Sequence, residues 1–69
     1  MKLSARNRLE GRVLSVKRGP VSTEVVVDIG AGKAITSTIT STAAEELGLA
    51  EGEDVHVVVK ASNVMLMTD

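Results

Sequence analysis

Three short segments carry the groups in this chain that could do chemistry. Ser4-Ala5-Arg6-Asn7 stands near the N-terminus, Thr40-Ser41-Thr42-Ala43 at mid-chain and Lys60-Ala61-Ser62 near the C-terminus. Each offers small hydrogen-bond donors, and Lys60 adds a full positive charge. The middle segment leads into Ala44-Glu45-Glu46-Leu47-Gly48, which reads as a short helix. A helix N-terminus has unpaired N–H groups and a partial positive charge, so it is a natural seat for an anion. Together the three segments suit a compact oxyanion. Read singly, such Ser and Thr residues are ordinary caps and turns, and the residues alone leave both readings open.

Catalysis has little to work with. There is no Cys, which excludes a thiolate nucleophile and any disulfide. One His without Cys cannot close a tetrahedral zinc site, so no metal is expected. His56 lies in an apolar run and reads as a partly covered sheet residue. Glu45, Glu46, Glu51, Glu53 and Asp54 form an acidic stretch that reads as a solvated rim. Gly30-Ala31-Gly32 is not a phosphate loop, because no Gly-Lys-Ser/Thr follows and both flanks read as strands. No enzyme and no resident cofactor are expected.

The elements that must position these groups follow from periodicity. A first strand runs from about residue 8 through Lys17, with apolar Val13, Leu14 and Val16. Arg18-Gly19-Pro20 is a turn. Val21 to Ile29 is a second strand, with Val25, Val27 and Ile29 on one face and Glu24, Val26 and Asp28 on the other. Gly30-Ala31-Gly32 is a tight turn, and Ala34 to Thr40 a third strand with Ile35, Ser37 and Ile39 on one face. The helix covers Ser41 to Gly48, with Thr42 and Glu45 spaced for a capping box and Gly48 for a left-handed cap. Leu47 and Leu49 are expected to pin it to the sheet. Val55 to Lys60 is a fourth strand and Val64 to Met67 a fifth. The order β-β-β-α-β-β predicts a mainly all-β fold: a five-stranded OB-type Greek-key barrel with one short helix between strands 3 and 4.

The chain has 69 residues, which form a single domain, 1–69. A core this small seldom supplies more than about 3–5 kcal/mol without a staple, and disulfide and zinc staples are excluded. Association with further copies remains, so an obligate homo-oligomer is expected. A net charge of −1 and the absence of Phe, Tyr and Trp argue against nucleic acid as a partner. No apolar run is long enough to cross a bilayer, and Met1 to Asn7 has no apolar signal core. A cytoplasmic location is the default expectation.

The segments also form a pattern. Ser4-Ala5-Arg6-Asn7 is followed by an apolar strand opened at Gly11. Glu45-Glu46-Leu47-Gly48-Leu49-x-Glu51-Gly52 and Val58-Val59-Lys60-Ala61-Ser62-Asn63-Val64-Met65 come later in the same order. This pattern resembles the molbindins, the Mop family of small molybdate- and tungstate-binding proteins built on a TOBE/OB-type module. It also resembles the OB-type domains of molybdate transporter ATPases and molybdate-responsive regulators. The resemblance covers essentially the whole chain. It implies a cytoplasmic protein that binds molybdate, and often tungstate, for storage or homeostasis. It implies a hexamer, a trimer of dimers, with oxyanion sites between subunits. One subunit is then expected to contribute Ser4, Ala5 and Arg6 together with Lys60, Ala61 and Ser62, with Thr40 and Ala43 joining the same pocket. Arg6 serves there through either its backbone N–H or its guanidinium. Ala43 stands where some relatives carry a hydroxyl, so only its backbone N–H is on offer. The alternatives are a nucleic-acid-binding OB module and an oligomerisation module without a ligand.

Overall fold

A computed structural model of the chain describes residues 6–69. Strand β1 spans Asn7–Arg18, β2 Ser22–Gly30, β3 Lys33–Thr40 and β4 Asp54–Val59. Helix α1 spans Ser41–Leu47, and a 3₁₀ turn covers Ala61–Asn63. Every pairing is antiparallel, and the four-stranded sheet has the order β3-β2-β1-β4. The architecture is mainly β, with one α-helix among the described residues, between the third and fourth strands.

The central strand serves two partners. Asn7 to Arg12 pair with β4, and Arg12 to Arg18 pair with β2. The register shifts between Val13 and Ser15, which makes Leu14 the extra residue of a bulge. A bulge bends its strand and increases the local twist. It also resets the alternation of side chains. Val13 is buried and Val16 packs on the same core although three positions separate them, while Leu14 is half exposed.

Gly11 lies just before the bulge, where β1 changes partners. A Cβ there would come within 2.7 Å of the Asp28 carbonyl oxygen and 2.5 Å of Val27 Cγ1. The carbonyl belongs to β2 backbone, which yields less readily than a side-chain end. Overpacking of this kind costs about 1–3 kcal/mol. Gly11→Ala is therefore expected to lower the urea midpoint by a corresponding amount. A midpoint equal to the parent's would mean that β1 and β2 do not approach this closely.

The core is built from alternate residues. β2 turns Thr23, Val25 and Val27 inward, and these join Val13 and Leu49, with Val16, Ile29, Ile39, Val55 and Val57 packed around them. Helix α1 presses fully buried Ala44 against the sheet. Leu47 does not help to pin the helix, since it is 67% exposed. The small side chain of Ala44 permits the close approach, and Leu47 on the last turn borders the open apolar groove. β2 and β3 join through Ala31 and Gly32 at φ 54° and 73°. Positive φ at both central residues is what a two-residue hairpin needs to match strand twist.

The helix starts differently from the expected capping box. Thr40 is the N-cap, and its Oγ1 accepts a hydrogen bond from the Ala43 N–H at 3.0 Å. The third helical position is thus Ala43, not Glu45, so the Thr42–Glu45 box does not form. The cause is tertiary: Ser41 N–H donates to the Val21 carbonyl oxygen, which sets the helix start at that residue. Gly48 closes the helix at φ 66°, ψ 35°, as its position predicts.

The fifth expected strand is the main difference. Val64 to Met67 lies outside the sheet. Val64 is extended, and Met65, Leu66 and Met67 are 93%, 92% and 90% exposed. The segment has strand-like composition, but a strand needs a neighbour for its N–H and C=O groups. Between the outer strands β3 and β4 an apolar groove stays open, lined by Val25, Val27, Ile39, Leu49, Val55 and Val57.

Candidate functional site

The pairing of β1 with β4 fixes one half of the candidate site. Asn7 lies opposite Val59, which brings Arg6 and Lys60 to the same end of the two strands. Lys60 is exposed and extended at φ −65°, ψ 132°. The chain then tightens into the Ala61–Asn63 turn, closed by Asn63 N–H on the Lys60 carbonyl oxygen at 2.9 Å. Ala61 and Ser62 open this turn, where N–H groups have no acceptor within the turn itself. The result is an exposed knot of donors: the Lys60 ammonium, the Ser62 hydroxyl and two N–H groups. Ser4 and Ala5 lie outside the described residues, but Arg6 leads directly to them.

The other half sits at the start of α1. Thr40 pairs with Ser22 at the end of β3. The Thr40 hydroxyl accepts from Ala43 N–H, so that N–H is already engaged. A hydroxyl has one proton and two lone pairs. With a lone pair held by the helix cap, the Thr40 proton is the group left to donate. The donor expected at Ala43 is therefore expressed through Thr40.

A partly buried hydrogen-bond chain supports this half, and sequence reasoning missed it. Ser41 Oγ donates to the Gly19 carbonyl oxygen at 2.6 Å. Its single proton is thereby used, so the 2.8 Å contact with Thr23 Oγ1 has Thr23 as the donor. Thr23 is fully buried, and among the described residues it is the buried polar side chain of the core. The signal was available: Thr23 continues the inward row of Val25 and Val27 by the two-residue period. Removing the Ser41 hydroxyl would leave that of Thr23 buried without its acceptor, at about 1–3 kcal/mol. Ser41→Ala is expected to lower the melting temperature accordingly, and adding Thr23→Val is expected to recover most of the loss. Equal melting of the single and double variants would contradict this coupling.

The two halves stand at opposite ends of β1. Lys60 lies by Asn7, whereas Thr40 lies by the turn that follows Arg18. Even with its bend, a 12-residue strand has roughly 40 Å of contour. A tetrahedral oxyanion is a few ångströms across and cannot touch both halves in one chain. The structure thus brings Arg6, Lys60, Ala61 and Ser62 to one end and Thr40 and Ala43 to the other.

Other residues offer less. His56 is exposed on β4 opposite Glu10. Its face turns away from the Val55 and Val57 row, so it is less covered than expected. Glu45, Glu46, Glu51, Glu53 and Asp54 are exposed, as a solvated rim requires. Arg12 Nε meets Asp54 Oδ1 at 3.6 Å across β1 and β4, an exposed pair of little energetic weight. No cluster of three potential metal ligands occurs among the described residues. No helix among them is long and apolar enough to cross a membrane.

The described residues thus form an antiparallel β module with one capped helix, donor groups at its strand ends and an open apolar groove. The family model described as "TOBE domain" matches residues 3–66, and the chain belongs to that family. It is 46% identical over 67 residues to "Molybdenum-pterin-binding protein 2" of Clostridium pasteurianum, covering 97% of this chain and 98% of that protein. The solved structure of MopII from Clostridium pasteurianum superposes with a TM-score of 0.90 at 45% identity, covering 97% of this chain and 100% of that one. The cytoplasmic molybdate-binding protein ModG, solved with molybdate bound, gives a TM-score of 0.89 at 45% identity, covering 94% of this chain and 46% of that one.

Proposed function

We propose that the chain binds molybdate, and tungstate, at sites shared between copies of itself, and serves in cytoplasmic storage and homeostasis of the ion. Its role is binding and not catalysis. The observation that carries this reading is similarity over nearly the whole of this chain to a molybdenum-pterin-binding protein, to MopII and to part of the molybdate-binding protein ModG, joined to donor groups split between the two ends of β1. Two copies packed end against end supply both halves to one ion: Lys60, Ala61 and Ser62 with the Ser4-Ala5-Arg6 segment of the first, and Thr40 at the helix cap of the second.

The chemistry suits the ion. Molybdate is a tetrahedral dianion without a proton at neutral pH. A pocket of donors alone favours it over hydrogen phosphate, which must place its own O–H against an acceptor. Ser62, Thr40 and backbone N–H groups surround the oxygens, and Lys60 balances charge. Charge-assisted hydrogen bonds contribute roughly 1.5–3 kcal/mol each, so four to six suffice for micromolar or tighter binding. Sulfate has the same charge and shape, and pocket size must discriminate against it.

Assembly follows from the same structure. The apolar groove between β3 and β4 is open, and Val64 to Met67 is an apolar segment that pairs with no strand among the described residues. The tail of another copy fills the groove and completes a five-stranded barrel. The assembly is a hexamer, a trimer of dimers. Equilibrium dialysis against molybdate, tungstate and sulfate tests the reading. Retention of the first two over sulfate is expected, and equal retention of none would overturn it. A crystal soaked in tungstate locates the ion, expected beside Lys60 and against a neighbouring chain.

A further inference from the structure

The oxyanion reading uses Arg6 and Lys60 but leaves one neighbouring cation unassigned. Val55 and Val57 of β4 pack on the core, so Asp54, His56 and Val58 face outward. The register sets Arg12, Glu10 and Arg8 opposite these residues, on the same outward face. Lys60 follows β4 at φ −65°, ψ 132°, still extended, and so continues the outward row past Val58. It stands diagonal to Arg8, and diagonal neighbours in a ladder lie about 7–8 Å apart. Arg6 directly precedes β1, at the same end. Arg6, Arg8 and Lys60 thus gather beside the Ala61–Asn63 turn. Carboxylates collect elsewhere. Glu51 and Glu53 precede Asp54, which starts β4 and meets Arg12 at 3.6 Å, roughly 20 Å along the ladder from Lys60. Among the described residues that is the ion pair, so the exposed Arg8 keeps its charge free of Glu10.

We infer that Arg8 is a long-range member of the oxyanion site, drawing a dianion to the Lys60 turn through its field and not through contact. This rests on the oxyanion reading given above. The chain carries a net charge of −1, so a doubly negative ion needs a local reversal of sign to approach. Lys60 gives one positive charge at the turn. Arg8 stands on the ladder and not in the turn, yet within a Debye length of it, about 8 Å at physiological salt. Its field therefore reaches the ion, and both charges of the ion feel it. Two charges on the ion and one on the guanidinium, about 8 Å apart in water, correspond to a fourfold gain in affinity at 0.01 M salt and almost none at 1 M. A structural role for Arg8, or a direct hydrogen bond to the ion, persists at high salt.

The test uses the full chain, titrated with sodium molybdate in calorimetry at about 0.01 M and 1 M sodium chloride. Arg8→Gln is expected to weaken binding about fourfold at the low salt and less than 1.5-fold at the high one. Arg8→Glu reverses the charge and is expected to weaken low-salt binding about 15-fold. Arg8→Lys keeps the charge and is expected to stay within about twofold of the parent. Val58→Lys adds a cation opposite Arg8 and is expected to tighten low-salt binding by about fourfold, which keeps the inference testable should Arg8→Gln not fold. Unchanged low-salt affinity in Arg8→Gln or in Val58→Lys overturns the inference. An equal loss at both salts also overturns it, because contact and structural damage are not screened away. Either result leaves the oxyanion reading standing. A parent chain that binds no molybdate overturns both.

Discussion

Lys60→Ala is expected to weaken molybdate binding by roughly 10- to 150-fold in isothermal calorimetry, the equivalent of one charge-assisted hydrogen bond. The argument starts from the strand end. Lys60 stands exposed between β4 and the Ala61–Asn63 turn, and its side chain does not cap that turn. Among the described residues the ion pair is Arg12 with Asp54, at the other end of β4, so Lys60 spends no charge on a carboxylate there. Removing it costs the folded chain little and leaves a bound dianion without its compensating charge. Ser62→Ala removes one neutral donor from the same turn and is expected to weaken binding only about 2- to 10-fold. An unchanged dissociation constant in Lys60→Ala would take Lys60 out of the site.

Truncation after Asn63 is expected to dissociate the assembly, with sedimentation velocity moving from the oligomer to single chains. In a paired strand two of the four residues Val64 to Met67 face the groove, and burying each contributes about 1.5–3 kcal/mol. Each tail then supplies roughly 3–6 kcal/mol, or about 10²- to 10⁴-fold in association. Molybdate binding is expected to disappear together with the oligomer, because Lys60 and Thr40 of one chain are too far apart to share an ion. A truncated chain that sediments as before, or that binds as well as a single chain, would refute the shared site.

What the sequence disclosed and what it withheld divide along physical lines. The inward row of Val25 and Val27, the Ala31–Gly32 turn and the Gly48 cap depend on residues within a few positions of one another. Alternation and allowed φ values are enough to read them. The Leu14 bulge depends on what β2 and β4 place opposite β1, which no local window contains. The Val64–Met67 segment was legible as apolar and extended, but its pairing requires a neighbour that its own sheet does not offer. The helix cap moved from Thr42 to Thr40 because Val21, in the turn that leads into β2, captures Ser41. For the site, the donor types at strand ends were plain. Their division between the two ends of β1 followed only from the register of Asn7 with Val59 and of Ser22 with Thr40.

The double service of β1 also orders events in time. β2 and β3 meet through a two-residue link, and β1 and β2 through a short turn, so both hairpins close quickly. β4 must find partners on β1 about fifty residues away in the chain, a closure with a larger entropic penalty. It therefore docks late on folding and detaches early on opening. Since β4 ends at Val59, directly before Lys60, amide exchange along Val55 to Val59 is expected to be the fastest in the sheet without the ion. An oxyanion seated on Lys60 acts as a latch on the last strand to arrive, slowing that exchange before it changes any other part of the molecule.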